Sequence, residues 1–207
     1  RKEKRKKRMK HVELIIADVR NMYINEEELL SLIAPCYVKK YHEHKIGKDK
    51  VQELVSGLLL KEYLGVVSDD QLEYGKYGKP KLIGDKRYFN LSHSGDYVVL
   101  AVADCEVGID IEEIMPFHEA TVKKVYREEQ KKELEQVEGA EKDEKFTEIW
   151  TKYEAALKLE GTGFANSWDD IPIGKCHIST LKYEKCYISC ATESEIDTFQ
   201  KTVLLSI

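Results

Sequence analysis

The residues best placed to do chemistry lie in the stretch Cys105 to Glu113, CEVGIDIEE. Gly108, Ile109 and Ile111 give it the alternation of a strand, in which residues two apart share a face. Asp110 and Glu112 therefore point the same way, while Ile109 and Ile111 fill the opposite side. At strand rise the two carboxylates sit about 6 to 7 Å apart at the backbone. They repel each other unless a hard cation lies between them, and oxygen donors of this kind suit magnesium or calcium. The alternative is an ordinary solvated strand face. A second group of polar residues, Ser92, His93 and Ser94 beside Gly95, offers hydroxyls, an imidazole and amides of the kind an anion site uses; a plain surface turn has the same composition. A third is the helical stripe Trp150, Glu154 and Lys158, spaced by four in WTKYEAALKLEG. Glu and Lys at that spacing also form the common stabilising helix pair.

Local patterns predict the elements that must hold these groups. HVELIIADV reads as a first strand, Asn25 to Ile33 as a helix ended by Pro35, and Asp49 to Leu64 as a core helix stopped by Gly65. Gly75, Gly78, Pro80 and Gly84 put Lys76, Lys79 and Lys81 on a loop. Arg87 to Leu91 and Tyr97 to Ala103 form a hairpin whose turn spans Ser92 to Asp96. A charged helix is expected over Glu119 to Gln136 and a stronger one over Glu144 to Leu159, with Gly161 and Gly163 ending it. Three strands follow, at Cys176 to Tyr183, Lys185 to Ala191 and Thr202 to Ile207.

The chain has 207 residues, enough for one domain or two small ones. Its organisation is expected to be a basic tail at 1–8, an N-terminal lobe at 9–103 and a C-terminal lobe at 104–207 carrying the metal site. The fold class is α/β (α+β). The two lobes are expected to be alike, each a small mostly antiparallel sheet packed with helices. No run of 18 apolar residues occurs, which argues against a helical membrane span, and HVELIIADV is too short and too charged for a signal core. Five cysteines, odd in number and without a CxxC pair, predict buried thiols rather than disulfides or zinc, and a cytoplasmic protein. Eight of the first ten residues are Lys or Arg against one acid, so the remainder is more acidic than the net −5 of the whole. Such a run is read as a solvated tail, with the chain trimmed or the domain opening at Met9. Without a helix, zinc or aromatic platform beside it, no nucleic-acid partner is expected.

FNLSHSGDYVVLAV, GIDIEE and WTKYEAALKLEGTG stand in one order, with YGKPKL upstream. Together these stretches resemble the 4′-phosphopantetheinyl transferases of the surfactin-synthetase-activating type, over about Lys79 to Gly163. The resemblance implies two α/β lobes related by a pseudo-twofold axis, with coenzyme A held between them. It implies transfer of the phosphopantetheine arm to a serine of an apo acyl, peptidyl or polyketide carrier protein, with release of adenosine 3′,5′-bisphosphate. By the same resemblance Asp110, Glu112 and Glu154 hold Mg2+; the chemistry leaves Glu154, on a different element from the strand pair, as third ligand, as base on the serine hydroxyl, or as both. Lys79 and Pro80 border the nucleotide, Ser92 and His93 meet the phosphates at its ribose end, Lys40 lies near the nucleotide's phosphate, and Lys158 reaches the pyrophosphate. One copy with two lobes suffices, so a monomer is expected.

Two positions depart from the family pattern. Tyr153 stands where Lys usually precedes the motif's Glu, and Gln52 where a basic residue is expected. They motivate a second possibility, a coenzyme A-binding protein that has lost transfer; a third is a Mg-dependent phosphohydrolase. The basic run Lys123 to Lys132 and the apolar Ile114 to Phe117 are candidate docking surfaces for an acidic carrier.

Overall fold

The structure is a computed structural model that describes residues 10–20, 25–162 and 174–204. The tail at 1–8, Met9, Gly163 and the last three residues lie outside the described residues. β1 (His11–Asp18) pairs antiparallel with β5 (Tyr97–Ala103), which pairs in turn with β4 (Tyr88–Ser94). A second antiparallel sheet has β8 (Cys186–Thr192) between β6 (Val107–Glu113) and β7 (His177–Tyr183). β2 (Leu72–Tyr74) and β3 (Pro80–Leu82) make a small ribbon. β9 (Thr198–Leu204), the last strand among the described residues, joins the first sheet, running parallel to β1. It begins earlier than its apolar end suggests, because the mostly polar, exposed residues Thr198 to Lys201 pair through their backbone regardless of side chain.

The molecule is a stack of four layers. One face of β1 and β5 buries Ile15, Val98 and Leu100 against α2 (Pro35–Glu43) and α3 (Gly47–Leu64), with α1 (Glu26–Leu30) at the margin. The other face, with Leu14, Ile16 and Val99, meets Ile109, Ile111 and Ile188 of the second sheet. Beyond that sheet lie α4 (Glu119–Val125), α5 (Glu128–Glu135) and α6 (Gly139–Glu160). The first sheet has four strands and the second three, within an α+β fold of mostly antiparallel sheets. No helix among the described residues is long and apolar enough to cross a membrane.

Several local expectations are corrected. Pro35 begins a helix instead of ending one: it occupies the first helical position of α2, where its missing N–H costs nothing. The polar residues Lys39 to Glu43 are helical within α2 because Tyr37 and Tyr41 are buried against the core. Lys81 lies on β3 and not on a loop. Ser92, His93 and Ser94 are strand residues paired with Val99, Val98 and Tyr97, so the turn shrinks to Gly95 and Asp96, with Gly95 at φ +57° as a two-residue hairpin requires. The charged helix is two helices broken at Tyr126 and Arg127, where the Tyr126 ring is buried and stacks on Tyr153. In the stretch Ile114 to Phe117, Pro116 is exposed and the other three residues are half-buried. The Met115 and Phe117 amides donate to Thr147 Oγ1 and Asp143 Oδ1, and the Phe117 ring meets Phe146 edge-on.

Candidate active site

The site forms where the edge of one sheet meets the edge of the other. An edge strand leaves every second N–H unpaired, and β6 presents those of Ile109, Ile111 and Glu113 toward β4. Asn90, Ser92 and Ser94, alternate residues on one face of β4, accept them: Ile109 N–H donates to Asn90 Oδ1 at 2.8 Å, Ile111 N–H to Ser92 Oγ at 3.4 Å and Glu113 N–H to Ser94 Oγ at 3.1 Å. The three polar side chains thus act as a substitute ladder between sheets.

α6 covers the β6 face that bears Gly108, Asp110 and Glu112. Gly108 makes this possible, since a Cβ there would stand 2.2 Å from the Ala155 carbonyl oxygen and 2.3 Å from the Leu159 nitrogen. With α6 so close, Glu154 and Lys158 on its cleft side face Asp110, and the Trp150 indole donates to Glu112. Lys79 fastens the end of the helix. Its buried ammonium donates to the Leu159 and Val107 carbonyls at 2.9 and 3.0 Å and pairs with Glu106 at 3.1 Å.

Asp110 is 3% exposed. Its Oδ1 accepts from Lys158 Nζ at 2.6 Å and from Ser92 Oγ at 3.0 Å, while Oδ2 is buried with no hydrogen-bond partner among the described residues. Lys158 Nζ also donates to Ser92 Oγ at 2.8 Å. Ser94 Oγ donates to Glu112 Oε2 at 2.9 Å. Burial pushes all three carboxylates up. Asp110 is raised by desolvation against the pull of Lys158, Glu112 by desolvation and by Asp110, and Glu154 by desolvation and by Asp110 and Glu112, to about 7. Among the described residues no three carboxylate, imidazole or thiol groups already stand as a closed ligand cage.

These groups line one wall of a cleft of about 310 Å³ whose opposite wall is Tyr37, Lys40, Glu53, Ser56 and His93. Burial holds the His93 imidazole below its usual value. An adjoining hollow of about 260 Å³ is lined by Tyr77, Gly78, Lys79, Leu91, Glu154 and Lys158, among others. The structure therefore brings Asp110, Glu112, Glu154, Lys158, Ser92, His93 and Lys40 to one cleft. Of these two hollows Lys79 lines only the adjoining one, with its ammonium held on the Leu159 and Val107 carbonyls, and Pro80 lines neither.

The two departures find structural explanations. Tyr153 faces away from the cleft: it is 1% exposed, stacks on Tyr126 with ring centroids 5.3 Å apart, and its hydroxyl accepts from Arg127 N–H and donates to Gln130. It cannot donate to a phosphate in the cleft from there. Lys152 pairs with Glu148 and does not replace a basic residue at 153. Gln52 is buried, its amide donating to the Gly95 carbonyl at 2.9 Å, and so braces the β4–β5 turn. Glu53, its neighbour, is the cleft residue that sequence reasoning missed; its place in an apolar helix gave no signal beyond a charge on a core-facing turn.

A family model described as the 4′-phosphopantetheinyl transferase superfamily matches residues 106–202, which contain the carboxylate strand and α6. Relatives include 4′-phosphopantetheinyl transferase psf-1 of Bacillus pumilus, 41% identical over 38% of this chain and 34% of the relative. 4′-Phosphopantetheinyl transferase Sfp of Bacillus subtilis is 28% identical over 71% of this chain and 68% of the relative. 4′-Phosphopantetheinyl transferase AcpT of Escherichia coli K12 is 32% identical over 57% of this chain and 61% of the relative. The chain spans between about a third and two thirds of the length of these relatives. In its motifs and over these matches the chain is similar to 4′-phosphopantetheinyl transferases, most fully over the stretch that holds the carboxylate strand and α6.

Proposed function

We propose that the protein transfers the 4′-phosphopantetheine group of coenzyme A to a serine hydroxyl of an apo acyl, peptidyl or polyketide carrier protein, releasing adenosine 3′,5′-bisphosphate. The observation that carries this reading is the convergence of Asp110, Glu112 and Glu154, beside Lys158, on one wall of a cleft. The set fits a hard divalent cation. Asp110 Oδ2 is buried without a hydrogen-bond partner among the described residues, all the donors are oxygens, and a cation between the carboxylates would offset the desolvation and the mutual repulsion that raise Glu154. Asp110, Glu112 and Glu154 would hold magnesium, which when bound supplies charge neutralisation to the pyrophosphate and its leaving group.

The chain's own residues account for the remaining steps. Lys158 stabilises the negative charge growing on the leaving phosphate. The serine oxygen forms a bond to the phosphorus that bears the pantetheine arm, and the P–O bond to the adenylate phosphate breaks with its electron pair going to the bisphosphate. Glu154, with its carboxyl near 7, takes the serine proton. Lys40, Ser92 and His93 bind toward the ribose end, and Lys79 borders the nucleotide from the side of the adjoining hollow, with Pro80 beside it in the chain. All these side chains come from one copy, which supports action as a monomer, and five free thiols support a cytoplasmic protein.

The test is intact-mass spectrometry of apo carriers of the three classes incubated with the protein, coenzyme A and magnesium. The expected result is a gain of one phosphopantetheine mass that disappears with chelator. Coenzyme A binding without any gain would replace this reading with that of a transferase that has lost its reaction. Nucleotide release without carrier would replace it with a phosphohydrolase.

A further inference from the structure

Resting on the transferase reading, we infer that the cleft wall opposite the carboxylates is built for a ribose hydroxyl rather than a ribose phosphate, and that the protein uses 3′-dephospho-coenzyme A at least as well as coenzyme A. The residue that decides this is Glu53 of α3.

Glu53 is nearly buried, with the Lys40 ammonium and the imidazoles of His44 and His93 around it. Its Oε2 lies 3.8 Å from Lys40 Nζ, and its Oε1 lies 3.5 Å from His44 Nε2 and 3.9 Å from His93 Nε2. The other nitrogen of His44, Nδ1, lies 3.8 Å from Asp49 Oδ2. One ammonium and two imidazoles are thus set against two carboxylates. Lys40 is further drawn over the Tyr37 ring, 4.6 Å from its centroid. Four neighbouring basic residues have partners elsewhere: Lys48 pairs with Asp96, Lys39 with Glu43 and Lys158 with Asp110, and Lys50 lies over Tyr41.

A phosphate oxygen within hydrogen-bond reach of Lys40 or His93 would also lie close to the Glu53 carboxylate, in a partly dry cleft where like charges repel strongly. A hydroxyl in the same place would donate to that carboxylate and lose nothing. Dinucleotide sites discriminate in this way, with an acid accepting from a ribose hydroxyl and a basic residue accommodating the phosphorylated ribose. Ser56 offers a phosphate no proton either, since its hydroxyl already donates to the Gln52 carbonyl at 2.8 Å.

The experiment compares kcat/KM for coenzyme A and 3′-dephospho-coenzyme A, with magnesium and an apo carrier, in the wild type and in Glu53→Gln, which keeps the side chain's shape and removes its charge. The wild type is expected to use the dephospho form with kcat/KM equal to or above that for coenzyme A. In Glu53→Gln the ratio is expected to move about tenfold toward coenzyme A. A wild type that prefers coenzyme A tenfold or more, or a ratio that moves less than twofold in the variant, overturns the inference. Calorimetry on the wild type reads the wall without turnover. Adenosine 5′-monophosphate should bind at least as tightly as adenosine 3′,5′-bisphosphate, and a tenfold preference for the bisphosphate overturns the inference as well. Absence of transfer from both cosubstrates together with the expected binding order would refute the transferase reading and uphold the assignment of the wall.

Discussion

Gly108→Ala is the substitution that most directly tests how the site is positioned. The added Cβ would lie 2.2 Å from the Ala155 oxygen and 2.3 Å from the Leu159 nitrogen, where ordinary contact begins at 3.4 Å. Both obstacles are helix backbone and cannot rotate aside, so α6 must retreat from β6 by about 1 Å. Overpacking of this kind costs about 1 to 3 kcal/mol. The retreat also carries Glu154 and Lys158 away from Asp110, breaking a 2.6 Å contact, and an error of about 1 Å in placing catalytic groups costs roughly 100-fold in rate. We therefore expect turnover at saturating coenzyme A and carrier to fall about 100-fold, and the urea midpoint to fall in line with about 2 kcal/mol. Gly47→Ala is the control: it lies at the start of α3 with nothing within 4 Å of the new Cβ, and should leave both quantities unchanged. A Gly108→Ala protein turning over within threefold of wild type would refute the claim that close packing of α6 on β6 sets the catalytic geometry.

Three more predictions follow from the same site. Glu154, raised to about 7 when folded, binds its proton more tightly in the folded than in the unfolded state, so stability falls as pH rises from about 4.5 to about 7. In chelator, urea midpoints at pH 5 and pH 8 should differ more in the wild type than in Glu154→Gln, by on the order of 2 kcal/mol after allowing for solvent screening; equal differences would contradict the shift. Asp110→Asn should lower transfer at least about 100-fold while leaving stability at neutral pH equal to or above wild type, because it removes a buried charge that the fold accommodates poorly. Full turnover in a mass assay would remove Asp110 from the site. Tyr153→Lys, which restores the residue usual in the family, should destabilise by roughly 3 kcal/mol by burying an ammonium in place of a stacked ring, without improving kcat/KM for coenzyme A. A gain in kcat/KM would mean that position 153 reaches the cleft after all.

The parts of the site that were legible in the sequence depend on a single local period. Asp110 and Glu112 share a face because a strand repeats every two residues, and Trp150, Glu154 and Lys158 share a stripe because a helix nearly repeats every four. Neither inference needs to know what the element packs against. The joining of the sheets was not legible, since Asn90, Ser92 and Ser94 act on amides 19 residues away and Ser-His-Ser-Gly has the composition of a turn. Pairing with Val98 and Val99 outweighs that composition and keeps Ser92 and His93 in the strand. Position 52 illustrates the limit most sharply. A basic residue was expected there from a loosely matched stretch, yet one residue along a helix turns the side chain by about 100°. That rotation sends Gln52 to the hairpin turn and Glu53 into the cleft. A residue pattern with firm motifs carries its register with it. α3 has no such motif, and its register is decided by which side chains the β1–β5 core and the Gly95 turn will accept. The charge that faces the cleft from α3 is therefore an outcome of core packing, and for this chain that outcome is a carboxylate.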